Sequence, residues 1–448
     1  MSSFPPELIA RIVDEINDQT SQTLRTCSLA STTFREACQR RLFETQSIIT
    51  GDSTRRGRPP KTHALAHAAT FFEHHPHLAR HIATLDVKFI YEDDATMESA
   101  LQMRVLTNRI PKVKTVKLWG YQYPEWGTWA DVIQPIFELT ARSAPLRKLE
   151  IQGFTMVPLA TFRGFFRVSQ AVTLLEVNAD DHAENKQGSE TFADAAAASS
   201  TGPQKVVFST YADTSLALRM FHAPLRLPSS VTTLDLTLSA SYKTDQNRLW
   251  DDREGQPASI PSALKALSST LETLYLFIPH FEATAAAHSP SQITLPHTPR
   301  LHTLGLKSHH PTLKILSSPS SRPPAEKFPT SAPLLLTTLL TNTLANSAVP
   351  ALRRLVLRDS TDLLSGGEHL HVPRSVRELD GVVAAYYAAL KLGGAIFEAC
   401  WVQEYASDTW LASLALAFPQ ASACGFRVLE LEESGEKKDE FYDDYPYY

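Results

Sequence analysis

The feature that most constrains the fold of this chain is a short apolar pattern that recurs from end to end. The pattern is Φ-x-x-Φ-x-Φ, where Φ is an apolar residue, and its copies begin at residues 82, 113, 146, 172, 231, 271, 301, 352 and 426. The most closely spaced copies are those from 82 to 172 and the pair at 271 and 301. The wider gap between the copies at 172 and 231 contains KVVFST (205–210), which would divide it as a degenerate copy. The chain therefore has an internal period of about 30 residues, in the range of solenoid repeats.

Within each copy the apolar residues alternate as they do in a short strand. The segments before four of the copies have helical patterns: 97–110, 129–144, 157–170 and 332–347. Strands and helices that alternate at this period cannot each bury a face alone, but stacked units share one core. The sequence predicts an α/β fold, with a leucine-rich-repeat-like strand–helix solenoid over residues 81–432. An ordinary doubly wound α/β domain with leucine-rich strands remains the alternative.

Three polar or biased segments interrupt the period. Residues 180–204 are rich in alanine, serine and acids, 240–261 are polar, and 317–333 are rich in proline and serine. These compositions predict loops inserted into single repeats. The sequence becomes more helical after 376, which favours an end cap, and the acidic residues 433–448 are expected to form a disordered tail.

The first fifty residues form a separate unit with more apolar surface than one buried helix needs. Pro5 and Pro6 suit a helix start, and a broad apolar band follows at helical spacing: Leu8, Ile9, Ile12, Val13 and Ile16. Further apolar residues predict two more short helices: Leu24, Cys27, Leu29, Phe34 and Cys38. About 45 residues is marginal for an independent core. The surplus therefore favours a docking module.

The segments FPPELIARIV and LRTCSLASTTFREACQRRLF resemble an F-box. The matching residues are Pro5, Pro6, Glu7, Leu8, Ile9, Ile12, Leu24, Cys27, Ser28, Leu29 and Phe34. Phe4 stands where leucine is usual and Ala30 where valine is common, and both remain apolar. The rest of the chain is similar, more weakly, to the divergent leucine-rich region of fungal F-box proteins.

The resemblance implies a non-catalytic substrate-recognition subunit of a Skp–cullin–F-box type ubiquitin ligase. Residues 1–50 would bind a Skp-type adaptor and, through it, a cullin, and 51–80 would connect them to a solenoid that binds a protein substrate. The expected adaptor-binding residues are Pro5, Pro6, Leu8, Ile9, Ile12, Leu24, Cys27, Leu29 and Phe34. The alternative is a leucine-rich binding scaffold unconnected to ubiquitin ligases, whose N-terminal helices only cap the solenoid.

In a solenoid, positions 3, 5 and 7 of each copy line the concave face of the sheet, because strand side chains alternate. The predicted substrate-binding residues at these positions are Lys117, Trp119, Glu150, Asp235, Tyr275, Phe277, Lys307, Arg354 and Arg358. They combine aromatic anchors with charges of both signs, which favours a protein or peptide partner over a uniformly charged polymer.

No known signature of catalysis or cofactor binding occurs in the sequence. It lacks GxSxG, GxxxxGK[ST], GxGxxG, HExxH and paired Cys/His motifs. We therefore expect no enzyme activity, no cofactor and no metal site, although an enzyme of unrecognised type stays open. The six histidines from His63 to His81 are expected to face solvent.

The basic stretch RRGRPPK (55–61) resembles an AT-hook, whose arginines enter a narrow A·T minor groove. It occurs once and in an expected linker, so a solvated loop is the simplest interpretation. Nuclear import and DNA contact remain open. With a net charge of −5, the chain is not expected to bind nucleic acid generally.

Composition places the protein among folded proteins that stay inside the cell. Apolar residues make up 43% of the chain, and no run approaches the roughly 18 residues of a membrane helix. No basic segment followed by an apolar one marks a secretory signal. The four cysteines show no framework spacing, which suits a reducing compartment. We expect a cytoplasmic or nuclear location, or both, and no membrane partner.

Overall fold

The computed structural model describes residues 5–16, 21–50, 62–90, 97–180, 202–210, 230–238, 260–277, 294–308, 335–345, 348–359, 374–392, 398–403, 418–425 and 427–430. Nearly all of the three predicted insertions, the acidic tail and the basic stretch RRGRPPK lie outside these residues. The chain divides into two compact units, 1–207 and 208–448. Each unit is described by itself.

The first unit starts with three helices and continues as alternating strands and helices. Its helices are α1 (Pro6–Asp14), α2 (Gln22–Ala30), α3 (Thr32–Phe43), α4 (Leu65–His74), α5 (Pro76–Ala79), α6 (Met97–Arg109), α7 (Trp126–Ser143) and α8 (Leu159–Val168). Its strands are β1 (Thr45–Ile49), β2 (Thr62–Ala64), β3 (Thr84–Ile90), β4 (Thr115–Tyr121), β5 (Lys148–Gln152), β6 (Val157–Pro158), β7 (Ala171–Leu175) and β8 (Ala179–Asp180). The boundary between the two units falls within β9 (Lys205–Thr210).

The strands of this unit form a parallel sheet in the order β2-β1-β3-β4-β5-β7. A separate two-stranded parallel sheet joins β6 and β8. Helix α4 packs against α6, and α6 packs against α7. From β3 onward, strands that follow one another in the repeat are therefore neighbours in the sheet, and their connecting helices are neighbours as well.

The second unit repeats this organisation. Its elements are β10 (Thr233–Leu238), α9 (Ile260–Leu267), β11 (Thr273–Phe277), β12 (Thr303–Ser308), α10 (Leu335–Ala345), β13 (Arg354–Asp359), α11 (Arg374–Leu392), β14 (Glu398–Gln403), α12 (Pro419–Cys424) and β15 (Arg427–Glu430). The strands β10 to β15 are parallel and pair in chain order. The predicted helices at 97–110, 129–144, 157–170 and 332–347 are confirmed as α6, α7, α8 and α10.

One buried carboxylate joins the helices α11 and α12 of the second unit. Asp380 of α11 is 2% exposed. It accepts the backbone N–H groups of Gln420 and Ala421 at 3.1 and 2.7 Å. These donors have no partner within α12, because they lie in its first turn. Asp380 therefore caps α12 and ties it to α11.

The repeat pattern corresponds to burial on one face of the strands. Its fourth and sixth positions are fully buried in both units, as in Leu85 and Val87 of β3 or Leu234 and Leu236 of β10. The intervening positions of β3 and β4 are half-buried. This alternation follows from the period of two in a strand.

A backbone fork sets the register between successive copies. The carbonyl at position 2 of one copy accepts the N–H groups at positions 2 and 3 of the next. Lys114 and Thr115, for example, both donate to the carbonyl of Ala83, at 2.7 and 3.1 Å. Within the described residues the same fork recurs at the carbonyls of Glu44, Lys114, Gln170, Thr232, Glu272 and His302.

This register reveals a further copy that the sequence pattern missed. Glu44 supplies the first fork, so this copy begins at Phe43 and its fourth and sixth positions are Gln46 and Ile48. These two residues stand opposite Leu85 and Val87. Gln46 hides the pattern because it is polar, although it is buried. Strand β1 thus belongs to the sheet, immediately after the third helix.

Two copies are displaced by three positions from where the pattern placed them. Val172 stands opposite Leu149, so that copy begins at Ser169 and not at 172. Ser169 is buried at the first position, where its Oγ donates to the carbonyl of Ala171 at 2.6 Å. Near the end of the chain, Val428 stands opposite Trp401, which stands opposite Leu357. The copy assigned to 426 therefore begins three positions earlier, and β14 is one more copy in the long gap between 352 and 426.

The predicted boundaries at residues 50 and 80 do not coincide with the division into compact units. The first falls just after β1, which pairs with β3. Residues 62–79 form β2, α4 and α5, and α4 packs against α6. The predicted connecting segment is therefore partly built into the first unit.

We predict that Gly120 cannot be replaced without loss of stability. A methyl group on Gly120 would overlap the carbonyl oxygen of Gly153 and the ring of Pro124. Overpacking of this kind costs about 1–3 kcal/mol. Urea unfolding should therefore show a lower free energy of unfolding for Gly120→Ala.

The matched control is Gly127→Ala in the first turn of α7. A methyl group there meets nothing within 4 Å. Alanine is the better helix former by about 0.8–1 kcal/mol in a helix interior, so this variant should be at least as stable as the parent. Equal stabilities for Gly120→Ala and the parent would show that the two strand ends can move apart.

Candidate functional site

The three N-terminal helices enclose a small core. Val13, Leu24 and Cys38 are buried at its centre, and further apolar residues pack around them: Ile16, Cys27, Phe34, Ala37 and Leu42. Burial, and to a smaller extent Cys27, raises the pKa of the Cys38 thiol. Helices α1 and α2 both pack against α3. The core therefore uses much of the apolar surface that the sequence shows in this segment.

Three large aliphatic side chains of these helices remain exposed. Leu8 and Ile12 are 48% and 46% exposed, and their spacing of four positions places them on one face of α1. Leu29 is 83% exposed near the end of α2. We name Leu8, Ile12 and Leu29 the aliphatic trio.

The other predicted adaptor-binding residues divide between surface and interior. Ile9 and Leu24 are 5% exposed and belong to the interior of the unit. Cys27 and Phe34 are half-buried against the core, whereas Pro5 and Pro6 are exposed at the start of α1. The sequence could not make this division, because α1 is apolar on two adjoining faces.

The helices are attached to the sheet by direct contacts. Phe43 packs against Phe71 and Phe72 of α4, with ring centroids 6.0 and 6.2 Å apart. Glu36 of α3 forms an ion pair with Arg80 at 2.6 Å. His81, beside this pair, is buried, and its burial lowers the pKa of the imidazole despite the nearby Glu36. The trio is thus presented on helices that are anchored to the rest of the unit.

The predicted substrate-binding residues of the first unit lie in transverse rows across the polar face of the sheet. One row is Ser47, Asp86, Lys117, Glu150 and Thr173, and the next is Ile49, Lys88, Trp119, Gln152 and Leu175. The structure therefore brings Lys117, Trp119 and Glu150 together, as predicted from their positions in the repeat.

Two lysines pair with Glu150 on this face. Glu150 is 2% exposed, and its carboxylate lies 2.6 Å from Lys148 Nζ and 3.8 Å from Lys117 Nζ. The ammonium groups of Lys88 and Lys117 each lie 5.9 Å from the centroid of the Trp119 ring. Glu150 is consequently a structural anion of this face, and Lys88, Lys117 and Trp119 are its more accessible groups.

In the second unit the predicted residues also fall into rows. Asp235, Tyr275 and Gly305 are neighbours across β10, β11 and β12, and the next row contains Phe277, Lys307 and Arg358. Gly305 is required where it stands, because a methyl group on it would overlap the Tyr275 ring. Asp235, Tyr275 and Arg354 are half-buried. The side chains of Phe277, Lys307 and Arg358 lie outside the described residues.

A group of exposed side chains that the sequence analysis missed lies where β4 and β5 end. Tyr121, Tyr123 and Met156 are 40%, 46% and 44% exposed. The hydroxyl of Tyr123 donates to Glu176 Oε2 at 3.1 Å, although the two residues are 53 positions apart. The run YQYPE (121–125) is the only local signal, and it follows a strand copy without matching any motif.

The histidines and other potential metal ligands form no site among the described residues. Within the described residues, no three His, Cys, Asp or Glu side chains converge to hold a metal ion. Five of the histidines from His63 to His81 are exposed as expected, but the expectation for His81 is wrong, because it is buried beside Glu36. In the part of the chain that the structure describes, no helix is long and apolar enough to cross a membrane.

No family model matches the sequence, and no curated protein matches it. A functional argument therefore starts from the three features just described: the aliphatic trio, the polar face of the sheet and the strand ends around Tyr121, Tyr123 and Met156.

Asp86, on the polar face of the sheet, should make the stability of the protein depend on pH. Burial raises the pKa of Asp86, although Lys88, a hydrogen bond from Ser47 and Lys117 act to lower it. The folded state thus binds this proton more tightly than the unfolded state. Asp86 therefore costs stability as pH rises above its ordinary pKa of about 4.

We predict that Asp86→Asn raises the melting temperature at pH 7, because it removes a buried carboxylate and keeps an oxygen that Ser47 can donate to. The difference from the parent should shrink as pH falls toward about 4. Asp131→Asn, which changes an exposed carboxylate on α7, is the control and should show no such trend. A variant less stable than the parent at pH 7 would mean that attraction to Lys88 and Lys117 outweighs burial.

Proposed function

We propose that the protein is a non-catalytic substrate-recognition subunit of a ubiquitin ligase of the Skp–cullin–F-box type. In this proposal residues 5–43 form an F-box-like three-helix module that binds a Skp-type adaptor. The strand–helix units that follow form leucine-rich-repeat-like solenoid segments that bind a protein substrate. The aliphatic trio carries the proposal.

The trio supports docking because the module has already formed its own core. Single exposed aliphatic residues are common on protein surfaces. Here, however, two of them share one face of α1 and a third is 83% exposed, in a segment that buries Val13, Leu24 and Cys38 independently. The same residues match the apolar positions of the F-box pattern. An apolar partner surface would account for their retention.

The repeat geometry supports the receptor half of the proposal. From β3 to β7 and from β10 to β15, strands pair in the order of the repeat, apart from the short β6 that pairs with β8. Helices α4, α6 and α7 pack on one another in chain order. Parallel strands joined by right-handed crossovers in strict chain order put their helices on one face, which is how solenoid repeats are built. On the opposite face, the described side chains of β3 and β4 are half-buried and those of β5 and β7 are buried. In this proposal a partner would therefore bind at β3 and β4, where Lys88, Lys117 and Trp119 lie.

A second candidate function is a leucine-rich binding scaffold without connection to ubiquitin ligases. It is favoured by the direct attachment of the helices to the sheet, through Phe43 on α4 and Glu36 on Arg80. In that case the three helices cap the first strands and the trio has no partner. The two candidates differ in whether the trio binds an adaptor.

We predict that Leu8→Ala/Leu29→Ala weakens binding to a purified Skp-type adaptor at least tenfold. Truncation of a buried aliphatic anchor at an interface commonly costs more than about 1 kcal/mol, and about 1.4 kcal/mol already corresponds to a factor of ten. Isothermal titration calorimetry with the full-length chain measures this directly. The melting temperature should change little, because both residues are exposed.

The matched control is Met97→Ala/Leu101→Ala, which removes two aliphatic side chains of α6 that are 82% and 55% exposed. This variant should bind the adaptor as the parent does. If parent and trio variant bind equally, or the parent shows no binding, the scaffold function replaces the ligase function.

A further inference from the structure

The loops that follow β4, β5 and β7 are joined by backbone hydrogen bonds into one surface. Thr155 N–H donates to the carbonyl of Pro124 at 3.1 Å, and Gly153 N–H donates to that of Leu175 at 2.9 Å. Val157 N–H donates to the carbonyl of Asn178 at 2.9 Å. We name residues 121–125, 153–156 and 176–178 the strand-end rim.

The backbone of the rim is strained where its exposed side chains are attached. Among the described residues, five non-glycine residues have positive φ, and four of them lie in the rim: Gln122, Tyr123, Met156 and Glu176, at 63°, 56°, 56° and 52°. L-residues avoid this region because Cβ approaches the following carbonyl. Residues held in it concentrate at binding sites.

The exposed side chains of the rim are those of an interface. Tyr121, Tyr123 and Met156 are each at least 40% exposed. Tyrosine and methionine are enriched at protein–protein interfaces relative to other surfaces. Thr155 Oγ1 lies 3.3 Å from the carbonyl of Tyr123, so the loop that carries Met156 is fixed beside the loop that carries Tyr123. The apolar groups thus share one rigid platform.

The charges of the rim all have one sign. Its charged residues are Glu125 and Glu176, and it contains no lysine or arginine. A carboxylate attracts a cation through its charge, and an aromatic ring attracts a cation over its face through the ring quadrupole. Lys88 and Lys117 lie further down the strands, around Trp119. A bound cation would therefore lie beside the rim loops, away from Lys88 and Lys117.

We propose that the strand-end rim docks a segment of a partner protein in which lysine or arginine stands next to an apolar side chain. This inference rests on the proposed function, for which it names the substrate class. The apolar side chain would pack on Tyr121, Tyr123 and Met156, and the basic group would pair with the exposed Glu125. An acidic segment would meet like charges, and a nucleic acid would meet the same repulsion along its phosphates.

The test uses three pools of fluorescein-labelled ten-residue peptides and the full-length chain. All pools carry Leu, Tyr or Val at alternate positions, and the other positions hold Lys/Arg, Asp/Glu or Ser/Gln. Fluorescence anisotropy should show that the basic pool binds at least tenfold more tightly than either other pool. Equal affinities, or a preference for the acidic pool, would overturn the proposal.

Variants then place the site. Glu125→Gln and Tyr121→Ala should each weaken binding of the basic pool at least threefold, and Met156→Asn should do the same while keeping a residue that tolerates positive φ. Met97→Ala, which changes an exposed side chain of α6, should have no effect. If all the rim variants bind as the parent does, the rim is not the site.

Adaptor binding is measured on the same samples. A rim variant that loses the basic pool but keeps the adaptor supports the rim and shows that the N-terminal module is intact. Basic-pool preference in a protein that does not bind the adaptor at all contradicts the ligase function alone. Should Tyr121→Ala or Met156→Asn melt early, the exposed Glu125→Gln decides the outcome.

Discussion

The structure depends on the backbone fork that recurs at the second position of seven copies within the described residues. One carbonyl receives two N–H groups from the next copy, as Ala83 does from Lys114 and Thr115. A displacement by one position would turn the buried leucines to the opposite face of the sheet. The fork and the apolar fourth and sixth positions therefore specify the same register, and each unit of the chain repeats it.

The consequences of this register reach the surfaces. It aligns Asp86, Lys117 and Glu150 in one row, where Lys117 pairs with Glu150. It also brings the ends of β4 and β5 so close that Gly120 and Gly153 face each other without room for a methyl group. The loops that leave this contact carry the strained and exposed residues of the strand-end rim. The regular strands β4 and β5 are thus followed by loops with an irregular backbone.

Much of the fold could be predicted from the sequence, since a period of about 30 residues with apolar positions 4 and 6 predicts parallel strands and intervening helices. The pattern failed where a polar residue is buried within it. Gln46 concealed the copy at 43, and Ser169 displaced the copy at 172 by three positions. In both cases the backbone hydrogen bonds set where the copy begins, and the polarity of the side chains does not indicate it.

The candidate surfaces were harder to predict. Periodicity placed Leu8, Ile9 and Ile12 in one apolar band, but only the folded structure separates the buried Ile9 from the exposed Leu8 and Ile12. The repeat correctly placed Lys117, Trp119 and Glu150 together, yet it could not show that Lys148 and Lys117 neutralise Glu150. Tyr121, Tyr123 and Met156 belong to no repeat position that sequence alone marks as a surface. Exposure depends on neighbours that are distant in the chain.

Hydrogen–deuterium exchange of the full-length protein, with and without a purified Skp-type adaptor, tests the central claim most directly. The proposal predicts slower exchange on adaptor binding in peptides that cover Pro6–Asp14 and Gln22–Ala30, which carry the aliphatic trio. Peptides that cover β10 to β13 should exchange at unchanged rates. Unchanged exchange in the two helices, or protection confined to the strands, would contradict the assignment of the three-helix module as the adaptor-binding surface.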